Sequence, residues 1–333
     1  MCRESVIVTL DDIRQAQQRL HGVATRTPLV AHEENGRRLW FKPESFQPIG
    51  SFKLRGAYNK IASLPEDERR RGVITYSSGN HAQGVAYSAR AIGCKAVVVM
   101  PRGAPIIKIE ATKALGAEIV PVGPTSGERQ AKAEELAAQY GYVIIPPFND
   151  EKIIAGQGTA GLEIIEDMPD VELVLVPVGG GGLVSGVATA VKLLLPQAKV
   201  VGVEPELAAD AQASLRAGKI VAWSGEQVGR TLADGLRTQH IGEINFEHIR
   251  RYVDDIIAVS EDEIREAMRR LALGARLVAE PSGAVTSAAF FFHADELPRA
   301  EKTVAIISGG SVEARLLASV LEGDWLEATI ASD

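Results

Sequence analysis

Four segments of this chain combine residue types whose spacing could do chemistry. The first is Val178-Gly179-Gly180-Gly181-Gly182-Leu183, set between an apolar strand candidate and a helical pattern of small residues from Val184 to Leu195. Successive glycines there let several backbone N–H groups converge on one anion, and the helix N-terminus adds partial positive charge. A phosphate is the natural tenant. A turn with positive φ needs only one or two glycines, and each extra one costs backbone entropy. A dinucleotide fingerprint requires glycines at its first, third and sixth positions, and Glu204, which ends the next strand candidate, stands about where an acidic ribose ligand would be. The spacing fails: counted from Gly179 the sixth position is Val184, counted from Gly180 it is Ser185, and Gly181 is followed two on by Leu183. No Gly-Lys-Ser or Gly-Lys-Thr follows, so the loop suits a single terminal phosphate rather than a pyrophosphate or triphosphate.

The second segment, Gly50-Ser51-Phe52-Lys53-Leu54-Arg55-Gly56-Ala57, places a lysine at the start of a predicted helix. In an apolar setting its ammonium form is disfavoured, which readies the amine to form an imine with an aldehyde. Taken alone, it equally fits a solvated lysine on an amphipathic helix. The third, Ser77-Ser78-Gly79-Asn80-His81-Ala82-Gln83-Gly84, follows a strand candidate ending at Tyr76, where open α/β sheets meet their ligands. Ser78 or Asn80 could also simply cap the next helix. The fourth, Ile307-Ser308-Gly309-Gly310-Ser311, is again at a strand end, and Ser308 could bond a ring nitrogen or cap a helix.

The elements that must position these segments alternate between strand and helix, the pattern of a parallel α/β sheet. Thr9-Leu10-Asp11-Asp12 reads as a capping box opening a helix over Ile13 to Leu20. Strands are predicted at Gly72 to Tyr76, Lys95 to Met100, Ala117 to Val122 and Tyr142 to Ile145, with helices at His81 to Ile92, Ile106 to Leu115 and Glu128 to Tyr140 between them. A second series comprises Glu172 to Val178, Lys199 to Val203, Asp254 to Val259 and Thr303 to Ile307. Pro146-Pro147-Phe148-Asn149-Asp150 separates the two series, since neighbouring prolines interrupt both helix and central strand. The start of the chain is grouped with the second series. The expected organisation is a large cofactor-binding domain from 1–69 and 149–333, with 70–148 as a small inserted domain. Gly218 to Gly242, rich in Gly and polar residues, reads as a surface excursion or as a helix and turn.

Composition limits the function classes. With 333 residues, 46% of them hydrophobic and 24% charged, the chain can build a packed core, and its net charge of -7 has no basic run for nucleic acid or a membrane surface. Two cysteines, Cys2 and Cys94, exclude a disulfide framework and point to a reducing, cytoplasmic setting. Met1 to Leu10 holds only a short apolar stretch, neither signal peptide nor membrane span. The anomaly is 32 glycines with only 5% aromatics, which suggests close backbone approaches.

Together, Ser51-Phe52-Lys53-Leu54-Arg55-Gly56-Ala57, Ser77-Ser78-Gly79-Asn80-His81, Gly179 to Gly182 and Ser308-Gly309-Gly310 resemble the pyridoxal-phosphate enzymes of the threonine/serine dehydratase and serine racemase family. The likeness extends over nearly the whole chain, including Pro105 to Ala117 and Ile154-Ala155-Gly156-Gln157-Gly158-Thr159, and Pro147-Phe148-Asn149-Asp150 is dehydratase-like. It implies the fold of type II pyridoxal-phosphate enzymes, similar to the tryptophan synthase β chain: two open, twisted, mostly parallel sheets flanked by helices. It implies β-elimination of a small β-hydroxy amino acid to a 2-oxo acid and ammonia. By the same resemblance, Lys53 holds pyridoxal 5'-phosphate as a Schiff base and then acts as base. Gly179, Gly180, Gly181 and Gly182 cradle its phosphate, Asn80 bonds its ring hydroxyl, Phe52 packs beside the ring, and Ser308 bonds the pyridine nitrogen. A hydroxyl there makes a weaker electron sink than a carboxylate, which favours expulsion of the β-hydroxyl. Ser77, Ser78, Gly79, Asn80 and His81 receive the substrate carboxylate.

The resemblance also marks departures and outlying sites. Threonine dehydratases usually carry Ala at the place of Ser78, whereas serine racemases and hydroxyaspartate dehydratases carry Ser, and a hydroxyl opposite Lys53 could move a proton as two-base racemisation requires. Ser78 could equally bind the carboxylate alone. Arg129 falls where relatives place an arginine near the substrate's distal end; it would pair with a β-carboxylate or remain solvated. Glu204, Ala208 and Asp210 match the family's divalent-cation site, whose oxygen ligands suit Mg²⁺ or Ca²⁺. A homodimer is implied. No long extension follows Leu321, so the regulatory domain of biosynthetic threonine dehydratases is expected to be missing. Two other classes stay open at this point: a non-catalytic small-molecule-binding protein, and a nicotinamide oxidoreductase disfavoured by the glycine spacing. Cysteine-synthase-like replacement shares the fold but fits Phe52-Lys53-Leu54-Arg55 and Ser308-Gly309-Gly310 less well.

Overall fold

Runs with no charged residue, such as β7 (Leu173–Pro177) and β10 (Thr303–Ile307), are buried along their whole length, as parallel strands covered on both faces must be. In the computed structural model, which describes residues 7–34, 36–104, 106–123 and 125–323, they are neighbours at the centre of a six-stranded sheet. Its order is β1 (Val30–Glu34), β2 (Arg37–Pro43), β10, β7, β8 (Lys199–Pro205), β9 (Asp255–Val259), with only β1 antiparallel. A separate four-stranded parallel sheet runs β5 (Glu118–Val122), β4 (Ala96–Pro101), β3 (Val73–Thr75), β6 (Val143–Ile144). Both are flanked by helices, and each has its own apolar core. Among the described residues, no helix is long and apolar enough to cross a membrane. Cys2 and Pro105 lie outside the described residues; Cys94 is a half-buried free thiol.

Local signals account for much of this. Thr9 and Asp12 form the expected capping box, each side chain accepting the other's backbone N–H, at the head of the Leu10–Leu20 helix. The helix after β3 runs from Asn80 to Ile92 and stops at Gly93, whose φ of 79° is left-handed. β1 and β2 have no counterpart in the sequence reading. His-Glu-Glu and Arg-Arg-Leu-Trp-Phe-Lys lack the apolar continuity of a central strand: β1 is an edge, and β2 buries the charge of Lys42 through long-range pairing. The stretch 218–242 resolves as short turns around Gly225–Val228 and Asp234–Leu236, with Val228, Thr231, Ala233, Leu236 and Ile241 buried. Most of the other residues of the stretch are exposed, so it is a surface segment of short helix and turns, anchored by these buried side chains.

The charge that β2 buries belongs to a dry network beneath the Lys53–Ala62 helix. Arg55 bonds Glu44 through Nε (2.7 Å) and Nη2 (2.8 Å), and Glu163 through Nη1 (2.7 Å) and Nη2 (2.9 Å). Lys42 Nζ reaches Glu163 and the Thr27 carbonyl, each at 2.6 Å, and Thr27 Oγ1 donates to Glu44. Two cations therefore balance two carboxylates, with every side chain at most 8% exposed. The Arg55 guanidinium holds Glu44 below the usual carboxylate range against the opposing effect of burial. Two residues after Lys53, this bidentate clamp fixes the first turn of the helix that carries it.

Candidate active site

Lys53 is the first residue of its helix, and Nζ donates to the Pro147 carbonyl at 3.0 Å while lying 5.1 Å from the Phe52 ring centre. Burial is the largest influence on this amine and brings its pKa from 10.5 down to about 8, with Glu280 opposing. The neutral amine, which is the nucleophile, is therefore accessible near physiological pH.

Phe148, the next residue after Pro147, joins Lys53 to the glycine turn. A Cβ on Gly180 would lie 2.2 Å from the Phe148 ring, and one on Gly182 would lie 3.1 Å from Phe148 Cβ. No side chain fits at Gly180. Gly181 adopts φ 91°, a left-handed conformation that L side chains rarely take, and caps the Gly182–Leu194 helix. Ser185 is the first residue whose N–H bonds back into that helix, to Gly181 O at 2.9 Å, so the first-turn N–H groups of Gly182, Leu183 and Val184 have no intrahelical partner. The turn is a bare cradle of donors at the positive end of a helix, as a phosphate requires.

The other two segments close on the same place. Phe52 N–H donates to Ser308 O at 3.1 Å, Gly310 N–H donates to Gly50 O at 2.9 Å, and Ser51 forms an isolated bridge with Gly309. Ser308 is buried, and its hydroxyl donates to Ser282 O at 3.2 Å. Asn80 opens the Asn80–Ile92 helix and donates through Nδ2 to Glu280 Oε1 at 2.7 Å. Gly79 N–H lies 3.4 Å from Ser77 Oγ, which accepts from it. Ser78 is half-buried, and its hydroxyl makes no side-chain hydrogen bond among the described residues.

His81 is buried with Nε2 3.0 Å from the Ile145 carbonyl, which requires the proton on Nε2 and leaves Nδ1 a bare acceptor. Nδ1 is buried without a partner. Burial, with the Lys53 charge adding to it, lowers the imidazole pKa to about 3, so the ring stays neutral.

The sequence reading did not identify Glu280, Pro147 or Phe148 as site residues. Glu280 precedes the Pro281–Phe292 helix; its N–H donates to Gly309 O, and a Cβ on Gly309 would lie 2.5 Å from its carboxylate. Burial, then Asp234, raises its pKa to about 7. Glu-Pro at a helix start was the available signal, since Pro favours the first helical position. Pro147 and Phe148 stood in the segment taken as a break between units. In the same segment, Asn149 accepts from Ile244 N–H at 3.0 Å and Asp150 caps the Glu151–Asp167 helix.

Arg129 occupies the first turn of the Ser126–Tyr140 helix and is half-buried. The expected cation ligands depart from a ready-made metal centre. Glu204 accepts from Ala211 N–H (3.1 Å) and Gln212 N–H (2.8 Å), so it caps the Asp210–Ala217 helix. Among the described residues, no cluster of three or more His, Cys, Asp or Glu gathers to hold a metal. Both Asp210 carboxylate oxygens are nevertheless buried, with no side-chain hydrogen-bond partner placed among the described residues. The backbone N–H groups of Asp210 itself and of Ile241 favour its charged form against burial. Burial raises both carboxyl pKa values, and Asp210 pushes Glu204 further up.

Comparison with known proteins agrees with this geometry. Residues 20–309 match the model of the pyridoxal-phosphate dependent enzyme family. The L-threonine ammonia-lyase of Thermotoga maritima is 45% identical over 319 residues, covering 95% of this chain and 78% of that one. The L-threo-3-hydroxyaspartate ammonia-lyase of Saccharomyces cerevisiae is 38% identical, covering 96% and 98%. Among solved structures, the serine racemase of Dictyostelium discoideum superimposes with a TM-score of 0.85 at 38% identity, covering 92% of this chain and 99% of that one. By these matches the chain belongs to the pyridoxal-phosphate-dependent enzyme family.

Proposed function

We propose that this protein removes water from a small β-hydroxy amino acid such as threonine or serine, and that the resulting enamine takes up water again as it hydrolyses to a 2-oxo acid and ammonia. The single observation that carries this reading is the amine of Lys53, shifted toward its neutral form and linked through Pro147 and Phe148 to the glycine turn. Bound pyridoxal phosphate supplies an electron sink that acidifies the substrate Cα–H and lets the β-hydroxyl leave. Lys53 anchors the cofactor and then takes the Cα proton at Nζ, with the Pro147 carbonyl orienting the ammonium. Amides at Gly179 to Gly182 hold the phosphate, Phe52 flanks the ring, and Ser308 bonds the ring nitrogen. Asn80, fixed by Glu280, faces the ring hydroxyl. Ser77, Ser78, Gly79, Asn80 and His81 receive the substrate carboxylate.

Racemisation is a second reading, favoured by the uncommitted hydroxyl of Ser78. The discriminating measurement is a panel of L- and D-serine, threonine, hydroxyaspartate and phenylserine, following 2-oxo acid release together with enantiomer exchange. Ser78→Ala is expected to lower racemisation by at least about 10²-fold while L-substrate elimination stays largely intact. Retained racemisation would remove Ser78 from proton transfer, and no 2-oxo acid from any substrate would sink the lyase reading in favour of a binding protein. Preference for hydroxyaspartate would place Arg129 against the β-carboxylate.

The buried Asp210 carboxylate, without a side-chain partner, fits an oxygen-seeking cation, so Glu204, Asp210 and the Ala208 carbonyl form the proposed Mg²⁺ or Ca²⁺ site. Chelation should then lower the unfolding temperature, and restoring the cation should recover it; a chelator-insensitive melt would rule the site out. The proposed setting is the reducing cytoplasm, as a homodimer with 70–148 acting as the smaller domain.

A further inference from the structure

Among the described residues, two side-chain ties run from helices flanking the small sheet to elements flanking the large one. One, Asn80 to Glu280, belongs to the site described above. The other is Lys108 Nζ to Asp234 Oδ2, at 2.6 Å. Lys108 stands in the first turn of the Ile106–Ala114 helix, and among the described residues this is the one hydrogen bond or ion pair from that helix to a large-sheet element. Asp234 opens a single turn ending at Leu236, and that turn rests directly on the site. Gly235 N–H donates to Ser282 Oγ at 2.9 Å, and Leu236 Cα lies 3.2 Å from where a Gly179 Cβ would be. Ser282 in turn presents the carbonyl that Ser308 bonds.

We propose that Lys108 and Asp234 form an electrostatic latch that holds the cleft over Lys53 closed, slowing both substrate entry and product release. The inference rests on the assignment of Lys53 as the reactive centre, but not on the reaction performed there. The two side chains are 22% and 43% exposed. A pair of that exposure biases a closed state by about two- to fivefold, enough to tune a gate without locking it. It is also open to screening by salt.

The test separates a latch from a field effect on Glu280, because the two charges act on that carboxyl in opposite senses: Asp234 raises its pKa and Lys108 lowers it. On the cofactor-loaded protein, Lys108→Met, Asp234→Asn and the double variant are compared by amide hydrogen exchange over 106–114 and 231–237 without substrate. All three should speed exchange in both segments by about two- to fivefold, with the double variant no worse than either single one. At about 1 M salt the parent should converge on the variants. KM for the amino acid should change in the same direction in both single variants. Opposite changes in the two, additive effects in the double variant, or unchanged exchange would each overturn the latch. The exchange measurement needs no turnover, so loss of the lyase reading would leave it standing.

Discussion

Lys53→Ala is expected to abolish 2-oxo acid release, by at least about 10²–10⁴-fold, and to remove the visible absorption of lysine-bound cofactor. The same substitution should leave the cofactor-free protein no less stable. Burial lowers the Lys53 pKa from 10.5 to about 8, so folding penalises its charged form. That shift corresponds to roughly 3 kcal/mol, reduced to about 1–2 kcal/mol by the solvent-facing edge of the side chain and by the packing its stem provides. The sign follows from a lowered folded-state pKa in a base. The penalty is fully present below about pH 8 and fades as pH rises through the unfolded value of 10.5. Denaturant melts of the two cofactor-free proteins at pH 7 and near pH 10 should therefore show a gain for Lys53→Ala that shrinks at the higher pH. A variant that retains activity would end the assignment of Lys53. A variant clearly less stable at pH 7 would show that the amine is not under desolvation stress.

Arg55→Met is expected to cost about 3–5 kcal/mol of stability, because it leaves Glu44 and Glu163 buried without their main partner. The loss should be coupled to Glu44. Adding Glu44→Gln to Arg55→Met should recover part of it, since Lys42 still neutralises Glu163 at 2.6 Å. The network also sets an acid limit. Glu44 has a pKa lowered in the fold, so its contribution is present above the ordinary carboxylate value of 4.5 and is lost as pH falls through the folded-state value. A cost below about 1 kcal/mol, or strict additivity of the two substitutions, would show that water reaches the cluster and screens it. Because Arg55 lies in the first turn after Lys53, partial variants should also loosen the cofactor before they unfold the chain.

The order and spacing of the four segments were legible because each is a local requirement on backbone geometry. Gly181 must be glycine for its φ of 91°, and Gly180 must be glycine because Phe148 occupies the space of a side chain. The first of these is visible in four consecutive glycines; the occupant of the second, more than thirty residues earlier, is not. β7 and β10 announced themselves by runs free of charge, whereas β1 was hidden by His32, Glu33 and Glu34 and β2 by Arg37, Arg38 and Lys42. A lysine in a strand looks like a solvated residue until Glu163, over a hundred positions away, is brought beside it. Glu204 illustrates the reverse: its match to a cation ligand was readable, but its bonds to Ala211 and Gln212 were not.

Sequence alone determined most of the alternation of strands and helices, the Thr9 cap, and the presence of a lysine, a four-glycine turn and strand-end hydroxyls in one chain. These follow from short-range terms, φ/ψ restriction and hydrophobic period, that act within a few residues. Tertiary structure decided which of them meet, that Glu280 stands behind Asn80, that Pro147 faces Lys53, and that the lysine is desolvated. Desolvation and charge pairing depend on atoms contributed from distant parts of the chain, so the chemistry of Lys53 is a property of the packed molecule and not of the Ser-Phe-Lys segment that contains it.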